Sequence, residues 1–157
     1  MVRKILFVCL GNICRSPAAE GIMNTLIKQN RLGNNIACDS AGVTDWNVGS
    51  SPDSRMKYHA GQRGYRLSGS ARQFNPTVDF HAFDYIITMD TKVDADIRAL
   101  TPNADDLSKV HPMTDFCREI SANEVPDPYY GTTDGFERVL DILEDACAGL
   151  IEHVAKK

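Results

Sequence analysis

The strongest constraint in this chain is local. Cys9-Leu10-Gly11-Asn12-Ile13-Cys14-Arg15-Ser16-Pro17 lies between the apolar run Ile5-Leu6-Phe7-Val8 and a helical pattern. An unbroken apolar run reads as a strand buried on both faces, the kind found in parallel sheets. A tight turn from such a strand into a helix aims backbone N–H groups at one point, where an anion is held. Gly11 and Asn12 are residue types that accept the unusual backbone angles of that turn. Arg15 adds a planar fork that matches two phosphoryl oxygens and places charge where a transferring phosphoryl group develops it. A cation at a helix start opposes the helix dipole, so its placement points to an anion. Cys9 faces the same field, which favours the nucleophilic thiolate, and Ser16 can offer that thiolate a hydrogen bond. A buried cysteine at a strand end is common by itself. Joined to Arg15 and Ser16, it reads as a nucleophile for phosphorus.

The remaining pattern alternates strands and helices. Residues 3–9 form the first strand, and a helix runs from about 17 to 30, with Ser16 as N-cap and Pro17 at the first helical position. Its apolar face is Ala18, Ala19, Ile22, Met23, Leu26 and Ile27. Residues 35–39 read as a second strand, Pro52 opens a polar helix ending near Gly61 or Gly64, and 85–89 is a third strand. A helix from Asp90 to Leu100 and a short strand at 109–111 follow. The final helix spans 133–155, with the stripe Phe136, Val139, Leu140, Leu143, Cys147, Leu150, Ile151 and Val154. Such alternation implies an α/β fold, a mostly parallel sheet with helices on both faces. Ligands in these sheets bind at the carboxyl ends of strands, where the turn after the first strand lies.

Composition removes several classes. The length suits one domain, residues 1–157. A net charge of −4 argues against broad nucleic-acid or anionic-membrane binding. No run approaches the about 18 apolar residues of a membrane span, and Met1-Val2-Arg3-Lys4 leads into a strand rather than a signal segment. A cytoplasmic location is the expectation. Five irregularly spaced cysteines do not make a secreted disulfide framework. Without a CxxC pair, and with four scattered histidines, a structural zinc site is not expected.

A phosphoryl nucleophile needs a proton donor for the leaving group. Glu124-Val125-Pro126-Asp127-Pro128-Tyr129-Tyr130-Gly131 places Asp127 between two prolines, which stiffen its loop. Taken alone, the segment reads more readily as a turn with a helix-entry aspartate than as a catalytic acid. Trp46, in a polar segment, and Tyr129 are candidate aromatic walls between which an aryl phosphate would stack.

The loop Cys9–Pro17 resembles the phosphate-binding loop of low-molecular-weight protein tyrosine phosphatases. Asp39-Ser40-Ala41-Gly42, Trp46-Asn47-Val48-Gly49, Ala71-Arg72-Gln73 and Asp127-Pro128-Tyr129-Tyr130 resemble further blocks of that family in the same order. The resemblance implies a three-layer α/β fold around a four-stranded parallel sheet, with the phosphate loop after the first strand. It implies metal-free hydrolysis of phosphotyrosine and small aryl phosphates, an acid-phosphatase activity, through a phosphocysteine on Cys9. Leu10, Gly11, Asn12, Ile13, Cys14 and Ser16 would bind the phosphate together with Arg15. Asp127 would protonate the leaving phenolate and then act as base on water. Ser40 and Tyr130 would support the site, with Asn12 holding the loop's shape. Cys14 would trap an oxidised Cys9 as a reversible disulfide. Phosphotyrosine proteins are the expected partners, phosphate-like oxyanions the expected inhibitors, and a monomer or weak homodimer the expected state. One departure is Gly69, where many relatives carry a histidine; Ser68 or Ser70 is a candidate replacement.

Three rivals share parts of this pattern. Arsenate reduction on the same fold needs further cysteines to relay a disulfide, and no close downstream pair exists. A phosphoarginine phosphatase would share the mechanism, but such relatives often carry threonine where this chain has Ile13. A silent phospho-binding module would not need Cys9, Arg15 and Asp127 together.

Overall fold

The computed structural model describes residues 1–129, 131 and 133–156, the side chain of Thr133 excepted. Four strands build the sheet: β1 (Arg3–Cys9), β2 (Ile36–Gly42), β3 (Tyr85–Thr88) and β4 (Val110–Pro112). All neighbours run parallel, in the order β2-β1-β3-β4. β1 therefore lies inside the sheet, and Ile5 to Val8 have no exposed surface. The chain turns to β2 on one side of β1 and to β3 on the other. The carboxyl end of β1 is thus the switch point at which parallel sheets open a crevice.

Strand alternation separates two cores. Ile5 and Phe7 face one layer, packed against Ile22 and Met23 of α1 (Arg15–Gln29), Met56 of α2 (Ser54–Gln62) and the stripe of α6 (Thr133–Ala155). Leu6 and Val8 face the other, packed against Phe80 of α3 (Pro76–Ala82) and Val93 and Ile97 of α4 (Thr91–Arg98). The expected three layers are present. All eight stripe residues of α6 are buried, because its apolar positions recur at helical spacing over 23 residues.

Some boundaries differ from expectation. α1 begins at Arg15, its N-cap is Cys14 with no side-chain cap bond, and Ser16 lies in the first turn instead of capping it. The phosphate loop takes Ser16's hydroxyl for another purpose. β2 runs on to Gly42 because its end pairs with Cys9. Two short helices escape the sequence pattern, α3 and α5 (Ala104–Leu107), as does the 3₁₀ turn Met113–Phe116. Among the described residues no helix is long and apolar enough to cross a membrane.

Candidate active site

The turn from β1 into α1 curls back over the strand end. Asn12 makes this possible by taking φ 59°, a left-handed angle that asparagine tolerates better than most residues. Its N–H then points back at Cys9 Sγ, 3.3 Å away. Gly42 lets the end of β2 press against the turn: a Cβ there would come within 3.0 Å of Asn12 N and Leu10 O. The loop is tied to β2's exit by Val43 N–H to Cys9 O and Thr44 N–H to Leu10 O, both 3.0 Å.

Behind the loop runs a buried polar network. Cys9 Sγ lies 3.0 Å from Ser16 Oγ. The Asn12 side-chain amide donates to Ser16 Oγ at 2.8 Å and to Ser40 Oγ at 3.0 Å, while its oxygen accepts from Arg72 N at 2.9 Å. The Ser40 hydroxyl in turn donates to Glu20 Oε1 at 2.6 Å. These bonds fix the loop's shape and join Asn12 to Ser16, Ser40 and the Arg72 backbone. Burial outweighs the Ser40 hydrogen bond and raises the Glu20 carboxyl above its ordinary value. Gly69 borders this network at φ +86°. A cavity of about 50 Å³ beside it is lined by Glu20, Ser40, Ser68 and Ser70 among others. Among the described residues neither serine replaces the missing histidine; Arg72 N is the donor that reaches Asn12 Oδ1 from this segment.

Arg15 is the largest fully buried side chain. Its Nη1 donates to Asp90 Oδ2 at 2.6 Å and to Val125 O at 2.9 Å, and its Nη2 faces Asp127 Oδ2 at 3.5 Å. Burial alone would lower its pKa, but Cys9, Asp90 and Asp127 together raise it further. The sequence placed a cation at a helix start and called for an anion. Asp90, inside the chain, supplies one negative charge. Asp90, Glu20, Arg72 and the Val125 carbonyl are site residues that sequence reasoning missed. Asp90 did carry a signal, but an ordinary one: it caps α4 with its other oxygen.

Cys9, Leu10, Gly11, Ile13, Cys14, Arg15, Trp46, Asn47, Asp127 and Tyr129 line one cavity of about 170 Å³. Most of the predicted site converges there; Asn12, Ser16 and Ser40 stand behind it as supports. Trp46 is 73% exposed, so it forms a rim and is not packed on a helix. Tyr129 forms the facing rim beneath Arg55, whose guanidinium lies 5.2 Å from its ring and 4.9 Å from that of Phe136. Asp53 holds Arg55 through two hydrogen bonds, caps α2, and donates its N–H to Ile13 O at 2.8 Å. The phosphate loop is thereby linked to the Tyr129 wall. Tyr130 lies outside the described residues. Burial, then the charges of Asp53 and Cys9, push the Cys14 thiol up.

A family model, "Low molecular weight phosphotyrosine protein phosphatase", matches residues 4–157. The chain belongs to that family. A relative from Synechocystis sp. is 51% identical over 154 residues, 98% of each chain. A crystal structure of protein tyrosine phosphatase from Entamoeba histolytica superposes with a TM-score of 0.94 at 45% identity, covering 98% of this chain and 97% of that one. YfkJ from Bacillus subtilis, a low molecular weight protein-tyrosine-phosphatase, superposes at 0.91 with 34% identity, covering 99% and 96%. The low molecular weight phosphatase is thus a cysteine-based protein tyrosine phosphatase with the expected α/β fold.

Proposed function

We propose that Cys9, Arg15 and Asp127 carry the hydrolysis of phosphotyrosine and small aryl phosphates, in residues 1–157 acting as one domain. The observation that supports this reading most directly is their convergence on one cavity. The Cys9 thiolate attacks phosphorus; the S–P bond forms as the bond to the phenolic oxygen breaks. Asp127 gives its proton to that oxygen. Arg15 and the N–H groups of the loop from Leu10 to Arg15 hold the equatorial oxygens, where charge is spread in the transition state. Water then attacks the phosphocysteine, Asp127 takes the water's proton, and inorganic phosphate leaves as the S–P bond breaks. Ser16 Oγ donates to the departing thiolate, which makes it a better leaving group. Trp46 and Tyr129 stack the aryl ring between them.

An oxyanion other than phosphate should compete for the same loop. The Entamoeba histolytica enzyme was crystallised with Hepes, a sulfonate, in its active site. All five cysteines are free, which suits a reducing, cytoplasmic setting. Cys14 shares the cavity with Cys9. After a peroxide oxidises Cys9 to a sulfenic acid, the Cys14 thiol would displace water and form a disulfide that a thiol reverses.

The test is hydrolysis of an aryl phosphate and a phosphotyrosine peptide by three proteins. Cys9→Ser is expected to abolish turnover, because a serine hydroxyl is not ionised at neutral pH. Asp127→Asn is expected to slow it about 10²–10⁴-fold, the worth of general acid catalysis. Full activity in Cys9→Ser would overturn the mechanism. Phosphoarginine run beside the aryl substrate decides between the two substrate classes. For Cys14, equal recovery by thiol after peroxide in wild type and Cys14→Ser would remove its protective role.

A further inference from the structure

Asp127 is partly exposed and lies in a stretch with no regular structure, yet a proton donor must be placed within hydrogen-bond reach of the leaving oxygen. Its position is set from the preceding residues. Val125 is fully buried, with its N–H given to Met89 O at 2.8 Å and its carbonyl to Arg15. One residue earlier, Glu124 Oε2 accepts from both Thr91 N at 3.0 Å and Thr91 Oγ1 at 2.9 Å. Met89, Asp90 and Thr91 are consecutive. They hold Val125, Arg15 and Glu124 respectively, so the β3–α4 junction fixes the acid segment and the arginine from one rigid point.

We propose that Glu124, held by Thr91, is a positioning residue for Asp127: the strap across the β3–α4 junction sets how far the acid stands from the leaving oxygen. The inference rests on the reading of Asp127 as the proton donor. Glu124 also sits at the start of α4, where a carboxylate favours the helix dipole. A purely structural strap would change the melting temperature and nothing specific to proton transfer. A positioning strap changes the dependence of rate on the leaving group, since a poor leaving phenol needs the proton and an acidic one needs it less. Glutamine can accept the same two hydrogen bonds, and serine keeps the hydroxyl, so the conservative variants separate geometry from charge.

The experiment measures kcat/KM, which reports formation of the phosphocysteine, for aryl phosphates from nitrophenyl to unsubstituted phenyl. Each variant is compared with itself across the series, so any unfolded fraction cancels. Glu124→Ala and Thr91→Val are expected to lose about 10-fold with phenyl phosphate and clearly less with nitrophenyl phosphate, within the about 10²-fold that a 1 Å misplacement costs. Glu124→Gln and Thr91→Ser are expected to keep the wild-type leaving-group slope. An unchanged slope in Glu124→Ala, or an equal loss on every substrate, overturns the strap. Asp127→Asn is run alongside and is expected to give the steepest slope. If it keeps the wild-type slope, Asp127 is not the acid and the strap falls with it; if it steepens and Glu124→Ala does not, only the strap falls.

Discussion

At the scale of single residues, Asp90 does two things with one carboxylate. Its Oδ1 caps α4 through Val93 N at 2.8 Å, and its Oδ2 pairs with Arg15. Asp90→Ala removes both, leaving Arg15 buried with the Val125 carbonyl and the more distant Asp127. The expected loss is about 2–4 kcal/mol, from an opened buried ion pair together with a lost cap. Asp90→Asn has one side-chain oxygen, which serves the cap at Val93 N but not Arg15 as well, so it should lose less than Asp90→Ala by about the worth of the cap. Urea denaturation of the two variants measures the difference, and kcat should fall in the same order as Arg15 loses its anchor. The residues legible in the sequence were those whose roles are local: Cys9, Asn12, Arg15 and Ser16 sit within one turn. Asp127 lies far along the chain; its flanking prolines made it a candidate, and the family's pattern was needed to prefer it over a plain turn. Asp90 was hidden because its capping role explains its presence fully until β3 is laid beside β1.

At the scale of elements, two glycines make opposite predictions. In α6, a Cβ on Gly149 would come within 2.0 Å of Phe116 O, a backbone atom of the 3₁₀ turn that cannot swing aside. Gly149→Ala must push helix and turn apart and should cost about 2–3 kcal/mol or more, as overpacked sites do. Gly61 lies within α2, and a Cβ there meets nothing within 4 Å. Gly61→Ala should gain about 0.5–1 kcal/mol by lowering the entropy lost on forming the helix. Urea midpoints read both signs. The elements that sequence pattern missed are short ones, α3 with 7 residues and α5 with 4. Neither is long enough to show a helical period. Their caps were the available signal: Asn75 before Pro76 and Asn103 before Ala104 each accept a first-turn N–H. The long α6 needed no such help, because its stripe repeats over its whole length.

At the scale of the whole molecule, the two ends of the sheet carry pH dependences of opposite sign. Beside the active site, burial raises Glu20 above its ordinary 4.5. The folded state then binds a proton more tightly than the unfolded chain does, so stability falls as pH rises from 4.5 through the raised value. At β4, burial first and His153 second lower His111 below its ordinary 6.5, against the pull of Asp115 and Asp94. His111 packs there in an aromatic cluster with Tyr85, Phe116 and, through them, His153. The folded state binds that proton less tightly, so stability falls as pH drops below 6.5. The wild-type protein should therefore show a stability profile shaped by both groups across about pH 4–7, and single variants should separate them. Glu20→Gln keeps an acceptor for Ser40 and removes the charge. It should flatten the decline above 4.5 and leave the enzyme at least as stable at neutral pH. His111→Gln should flatten the fall below 6.5 and leave the Glu20 limb unchanged. Urea denaturation at a series of pH values reads both limbs. A Glu20→Gln profile that still declines like wild type would mean that the end of the polar network behind the phosphate loop is not where that dependence arises.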